Sequence, residues 1–230
     1  AYSMKMEKLI DVKNLFYKIP LGEIVLDKVS FTLSPGEFMG VLGRNGIGKT
    51  TLLDILLGLR SSAKGQIEIL GEDPRDRYRH NKDQICYISQ DIQLRKDISV
   101  KDFLDFYSKF YKNYSQEKES YLVEFFSVKP ETLIGTLSTG QQKKIQIVAA
   151  LSAQPKILLV DELTAVLDPE ARHIFFKVIH ELKTKENLAI LLATNITEDL
   201  NKRADRILYI ENKEAQIVSP LEIESLFIKL

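Results

Sequence analysis

Apolar and polar residues alternate with two different periods along this chain. The first segment carries short runs such as LIDVK and IVLDKVSFTL, separated by Pro20, Gly22, Pro35 and Gly36. Runs of that length between turn formers are strand-like, so a β-rich lobe is expected at the N-terminal end. EFMGVLG then reads as a buried strand, GRNGIGKTT as a glycine loop, and TLLDILLGL as an amphipathic helix that opens where the loop ends.

QIEIL and ICYIS add two more strands, after which the period changes. Phe103, Phe106, Tyr107, Phe110, Tyr111 and Tyr114 recur at spacings of three and four, which predicts a helix with one aromatic face. That face either packs in the core or receives a partner's helix. From Ser138 onward the order is helix (TGQQKKIQIVAALSA), strand (KILLVDE), helix (PEARHIFFKVIHELK), strand (LAILLAT), helix (ITEDLNKRA), short strands and a last helix. Strands and helices in alternation call for a mostly parallel sheet covered by helices.

Composition narrows the field. A chain of 230 residues with 44% hydrophobic and 28% charged residues is long enough to bury a real core and too apolar to be disordered. Lys plus Arg equals Asp plus Glu, 32 against 32, so no global field draws in nucleic acid or anionic lipid. The one cysteine, Cys86, excludes an intrachain disulfide and fits a small buried strand residue in a reducing compartment. No apolar stretch approaches the roughly 20 residues of a bilayer span. The opening AYSMKMEKLIDVKN has no secretory pattern and is expected to be mature cytoplasmic sequence.

Chemistry enters at the glycine loop. Gly43, Arg44, Asn45, Gly46, Ile47, Gly48, Lys49 and Thr50 fit Gly-x-x-x-x-Gly-Lys-Thr, with Thr51 following. Without Cβ atoms the loop bends tightly and turns successive N–H groups inward, and the next helix adds its positive end. Such a loop holds a polyphosphate, with Lys49 reaching the β and γ phosphates and Thr50 offering its hydroxyl to Mg²⁺. Asp161 closes the apolar run ILLVD and Glu162 follows it. Two acids at a strand end suit one metal carboxylate and one general base that polarises water.

LSTGQ, Leu137 to Gln141, stands ahead of a helix about twenty residues before Asp161. Together with GRNGIGKTT, the Gln90 of ICYISQD, and DELTAVLD, it makes essentially the whole chain resemble an ABC transporter ATP-binding subunit. The resemblance implies an α/β fold: a P-loop NTPase core with a mostly parallel sheet, an N-terminal antiparallel β lobe and a small inserted α-helical subdomain. It implies one ABC ATPase domain over residues 1–230, with core and β lobe at about 1–90 and 155–230 and the helical part at about 91–154.

It also implies that ATP and Mg²⁺ are the cofactors and that two copies, or this chain and a second ABC ATPase subunit, close head to tail around the nucleotide. Ser138, Thr139, Gly140 and Gln141 then meet the γ phosphate across the interface. Gln90 reaches the metal, and Asp168 crosses the dimer while capping the helix after Pro169. In this setting the motor drives separate transmembrane permease subunits from the cytoplasmic face, and the segment after Gln90 resembles the export class. No nucleic acid is expected.

The chain departs from the family pattern at several positions. Asn195 stands where a histidine is usual. Its amide donates a hydrogen bond but carries neither proton nor positive charge, which implies slower turnover; it also fits a helix-start box with Glu198. Thr139 replaces a glycine, Leu163 a proline and Val166 a glycine. For the aromatic that stacks on adenine, Tyr17 is the candidate, although a gapless alignment puts Ile19 there.

Two other classes compete. A nontransport ABC ATPase acting on nucleic acid or ribosomes is expected to carry a coiled-coil insertion, a second cassette or basic extensions, none of which is present in these residues. A kinase or GTPase shares the glycine loop, but NKRAD at Asn201 has the wrong spacing for guanine reading.

Overall fold

The computed structural model describes residues 8–223, which divide into two compact units: residues 8–81 with 189–223, and residues 82–188. The first unit contains an antiparallel sheet of β1 (Ile10–Lys18), β2 (Ile24–Leu33) and β4 (Lys64–Ile69), ordered β2-β1-β4. This is the β lobe that the turn-punctuated runs predict. Its central strand is bulged: Asn14 has φ 51°, and the pairing of β1 with β2 shifts between Val12 and Leu15. Inward positions therefore change parity, from Ile10 and Val12 to Leu15 and Tyr17, all four buried.

The same unit holds a parallel run. β3 (Phe38–Leu42) lies between β7 (Ala189–Thr194) and β8 (Arg206–Glu211), and β9 (Glu214–Val218) turns back antiparallel on β8. All residues of β3 and β7 are buried, as expected of parallel strands covered on both faces. α1 (Lys49–Leu56) leaves the end of β3 and buries Leu52, Leu53, Ile55 and Leu56 completely. Each of those side chains contributes roughly 1.5–3 kcal/mol of transfer free energy.

In the second unit, β5 (Ile85–Ser89) pairs parallel with β6 (Ile157–Asp161), Ser89 opposite Asp161. The helices are α2 (Val100–Ser108), α3 (Gln116–Phe125), α4 (Thr139–Ser152) and α5 (Pro169–Glu186). Residues 91–154, the expected extent of the helical part, hold α2, α3 and α4; the compact unit also takes in β5, β6 and α5. α5 follows the usual end signals: Asp168 accepts from the N–H of Ala171 at 2.8 Å, Pro169 occupies the first turn, and Asn187 closes the helix at φ 56°.

Two expectations need correction here. The aromatic stripe is not one helix, because α2 ends at Ser108 and α3 starts only at Gln116. The intervening backbone bonds from Phe110 to Tyr107 and from Tyr111 to Ser108 are short-range turns that keep the aromatics in near-helical sequence. Tyr107 and Tyr111 stack with centroids 4.8 Å apart, whereas Phe106 and Phe110 are 58% and 60% exposed. The helix read from ITEDLNKRA is only α6 (Thr197–Leu200) before the chain turns. A 3-10 turn, Pro220–Glu222, ends the described part of the chain, and the expected final helix lies outside the described residues, as does the start of the chain.

Cys86 sits fully buried in β5, where loss of solvent raises its thiol pKa to about 11. Among the described residues, no helix is long and apolar enough to cross a membrane.

Candidate nucleotide site

β3 delivers the chain to the glycine loop at Leu42, whose parallel partners are Thr194 on β7 and Tyr209 on β8. The loop then turns through Gly46 and Gly48 at φ 78° and 116°, backbone conformations that side chains strongly disfavour. Gly48 caps α1, so the helix starts at Lys49. Lys49 is 4% exposed, and its ammonium donates to the carbonyls of Gly43 at 2.9 Å and Arg44 at 3.1 Å. Arg44, Asn45, Gly46 and Thr50 are exposed, while Ile47 and Thr51 are half-buried. The loop thus presents amide N–H groups and a helix N-terminus with a lysine folded beneath it, an arrangement that binds polyphosphate.

Asn195 follows Thr194 at the end of β7, and its Nδ2 donates to Oδ1 of Asn45 at 2.9 Å. The helix-start box with Glu198 does not form. The residue before α6 is Ile196, with no side-chain cap, and the turn is held by Thr194, whose Oγ1 accepts from the Ile196 N–H at 3.0 Å. Thr194 is 1% exposed, and its hydroxyl also lies 3.4 Å from Oδ2 of the buried Asp199. With Ile196 rather than Asn195 before α6, the Asn195 side chain reaches Asn45 of the phosphate loop instead of the helix.

Tyr17 also needs correction as the adenine-stacking residue. Its ring is 2% exposed on the inner face of the β lobe, and a base stacks only on an accessible ring face. Ile19, two residues on, is 44% exposed.

In the second unit the acids and Gln90 meet at the ends of β5 and β6. Asp161 is 2% exposed, and the Tyr87 hydroxyl donates to its Oδ2 at 3.2 Å. Glu162 adopts φ 49° and ψ 21°, an αL geometry that costs a non-glycine residue about 1–3 kcal/mol and concentrates at working sites. The Gln90 N–H donates to the Asp161 carbonyl at 3.2 Å, and its Nε2 donates to Oε2 of Glu162 at 3.2 Å. The pairing of Ser89 with Asp161 makes Gln90 the neighbour of Glu162.

At the start of α4, Ser138 and Gln141 cap reciprocally. Ser138 Oγ accepts from the Gln141 N–H at 3.3 Å, and Gln141 Oε1 accepts from the Ser138 N–H at 2.9 Å. Thr139 is exposed in the first turn, and a Cβ on Gly140 would come no closer than 3.4 Å to the Val166 carbonyl. Asp168 has its carboxyl pKa lowered, first by the Ala171 N–H and further by Lys144, whose Nζ is 3.7 Å away. Sequence reading missed Tyr87 and Lys143. Lys143 is buried and donates to the carbonyls of Ser89 and Ile92; in the sequence nothing sets it apart from its neighbours Gln142 and Lys144.

A parallel strand, a glycine loop, a helix led by lysine and a strand ending in two acids define a P-loop nucleotide-binding protein. The family model described as ABC transporter matches residues 26–165, and the chain belongs to that family. It is 33% identical over 195 residues to Nod factor export ATP-binding protein I of Rhizobium leguminosarum bv. viciae, covering 83% of this chain and 62% of that protein. The corresponding protein of Burkholderia lata is 32% identical over 207 residues, covering 88% and 67%. The chain therefore spans about three fifths to two thirds of the length of these relatives.

Among solved structures, one described as the ATP binding subunit of an ABC transporter superposes with a TM-score of 0.85 at 25% identity, covering 95% of this chain and 93% of the other. The cbiO1 structure from Clostridium perfringens, described as part of the ABC transporter complex cbiONQ, gives a TM-score of 0.77 at 23% identity, covering 95% and 91%. Both support the α/β fold expected from the sequence.

Proposed function

We propose that this chain binds and hydrolyses ATP to energise transport through separate membrane permease subunits, working at the cytoplasmic face of the membrane. The observation that carries the reading is the phosphate loop, with Lys49 held by the Gly43 and Arg44 carbonyls at the mouth of α1. A triphosphate competes for that ammonium and for the loop's N–H groups. Asp161, the Thr50 hydroxyl and the Gln90 amide oxygen are hard oxygen donors, the set Mg²⁺ prefers, and the metal offsets negative charge on the phosphates. Glu162, held by the Gln90 amide, polarises the attacking water.

Asn195 places a neutral amide where a charged imidazole would stabilise the transition state better, so turnover is slow. In this reading, Ser138, Thr139, Gly140 and Gln141 complete the site of a second ABC ATPase subunit, identical or not, with Asp168 in the crossing loop. The names of the Nod factor export relatives favour export. The permease seat is a largely apolar groove of roughly 430 Å³ within the second unit, lined in part by Ile92, Leu94, Phe103 and Phe106.

Two measurements test the reading. Lys49→Ala should weaken MgATP binding by at least about a hundredfold, equivalent to about 3 kcal/mol, and affinity unchanged from the parent overturns the nucleotide assignment. Purification from native membranes should bring a permease with the chain. Recovery with ribosomes or nucleic acid instead would favour the nontransport class.

A further inference from the structure

Lys143, on α4, is 2% exposed, and burying an ammonium is costly unless hydrogen bonds compensate it. Its bonds go to two backbone carbonyls, Ser89 at 3.1 Å and Ile92 at 2.8 Å. Gln146, one turn further along the same helix, donates its Nε2 to the Ile92 carbonyl at 3.0 Å. Ser89 and Ile92 bracket Gln90, whose own amide contacts Glu162. Two side chains of α4 thus fasten the short loop that presents Gln90. The adjoining Lys144 faces Asp168, 3.7 Å away.

We propose that Lys143 is a positioning residue that joins the Gln90 loop to α4, so that a displacement felt at Ser138 to Gly140 is carried to the Gln90 amide and through it to Glu162. Ser138 lies about one and a half helical turns from Lys143, a distance over which a helix moves as a rigid rod. A nucleotide phosphate meeting the start of α4 therefore sets the position of the base in the same chain. This inference rests on the ATPase reading above. It adds a contact between two groups of residues that the reading treats separately.

The 230-residue chain with MgATP provides the test, using Lys143→Met, which keeps length and removes both hydrogen bonds, and Lys143→Gln, which keeps a donor. Nucleotide affinity, single-turnover hydrolysis and amide hydrogen exchange at residues 90–94 are measured for each. Lys143→Met should lower the single-turnover rate about tenfold while the Kd changes less than about twofold, and exchange at 90–94 should accelerate by about tenfold or more. Lys143→Gln should recover part of both effects.

Turnover and exchange unchanged in Lys143→Met overturn the proposal. So does an equal fall in affinity and turnover, which marks a merely structural lysine. Should the methionine variant fail to fold, Lys143→Gln decides alone: reduced turnover with faster exchange supports the strut, and unchanged values for either overturn it. Failure of the unaltered chain to bind MgATP would overturn the ATPase reading instead, while exchange at 90–94 still judges the strut.

Discussion

The side-chain amide of Asn195 donates to Oδ1 of Asn45 across 2.9 Å, joining the turn after β7 to the phosphate loop after β3. The contact follows from topology, since β3 and β7 run parallel with Leu42 opposite Thr194 and their loops leave on the same side. An amide at this position orients the loop but supplies no charge. Asn195→His should raise the single-turnover rate roughly threefold to tenfold, about 1 kcal/mol of transition-state stabilisation. The gain should be greatest below the ordinary histidine pKa of about 6.5 and should fade above it as the imidazole loses its proton. An unchanged rate, with chemistry shown to be limiting, would remove the role given to Asn195.

Glu162→Gln keeps a side chain that Gln90 can contact but removes the base. ATP affinity should stay within about threefold of the parent while hydrolysis falls by about 10²–10⁴-fold. In gel filtration with MgATP this variant should elute as a dimer. A monomeric variant that still turns over ATP at the parent rate would refute both the base and the head-to-tail closure.

The glycine loop was legible because each of its constraints is local: backbone freedom, an adjacent strand and a following helix. Asp161 and Glu162 were legible for the same reason, as the end of an apolar run. Tyr17 is the aromatic nearest the family's stacking position, and sequence does not show that the bulge at Asn14 shifts strand parity and turns its ring inward. The aromatic stripe was read as one helix because turns bonded over three residues preserve its spacing past Ser108. Asn195 and Glu198 match a capping box in sequence, but α6 begins one residue later, behind Ile196, and the Asn195 side chain turns to Asn45 instead. Lys143 was invisible because its partners are carbonyls from another strand end, contacts that a sequence does not print.

Asp168 caps α5 through the Ala171 N–H, so Asp168→Ala should cost about 1 kcal/mol at neutral pH. Its carboxyl pKa is lowered in the folded chain, first by that N–H. The sign follows from linkage: the stabilisation is fully present above the ordinary carboxylate pKa of about 3.9 and is lost as pH falls through the lowered folded value. Urea denaturation should show the two proteins converging toward acid pH, and a difference that stays constant below about pH 4 would contradict the charged cap.

Phe106 and Phe110 form an edge-on pair with centroids 5.0 Å apart, each more than half exposed. Alanine at either position should move the Tm by less than about 2 °C, since exposed substitutions rarely change stability by more than about 0.5 kcal/mol. Phe106 also lines the apolar groove, so Phe106→Ala should abolish recovery of the permease. Full recovery would direct the search for the permease seat elsewhere.

The burial of Cys86 has a practical side. A thiol without solvent access and with its pKa raised to about 11 is unreactive toward maleimides at neutral pH, because the thiolate is the attacking species. As the chain has no other cysteine, a single cysteine introduced on an exposed loop would take up a fluorophore or spin label selectively. The sequence is thus a ready scaffold for distance measurements with and without MgATP, its one thiol being shielded.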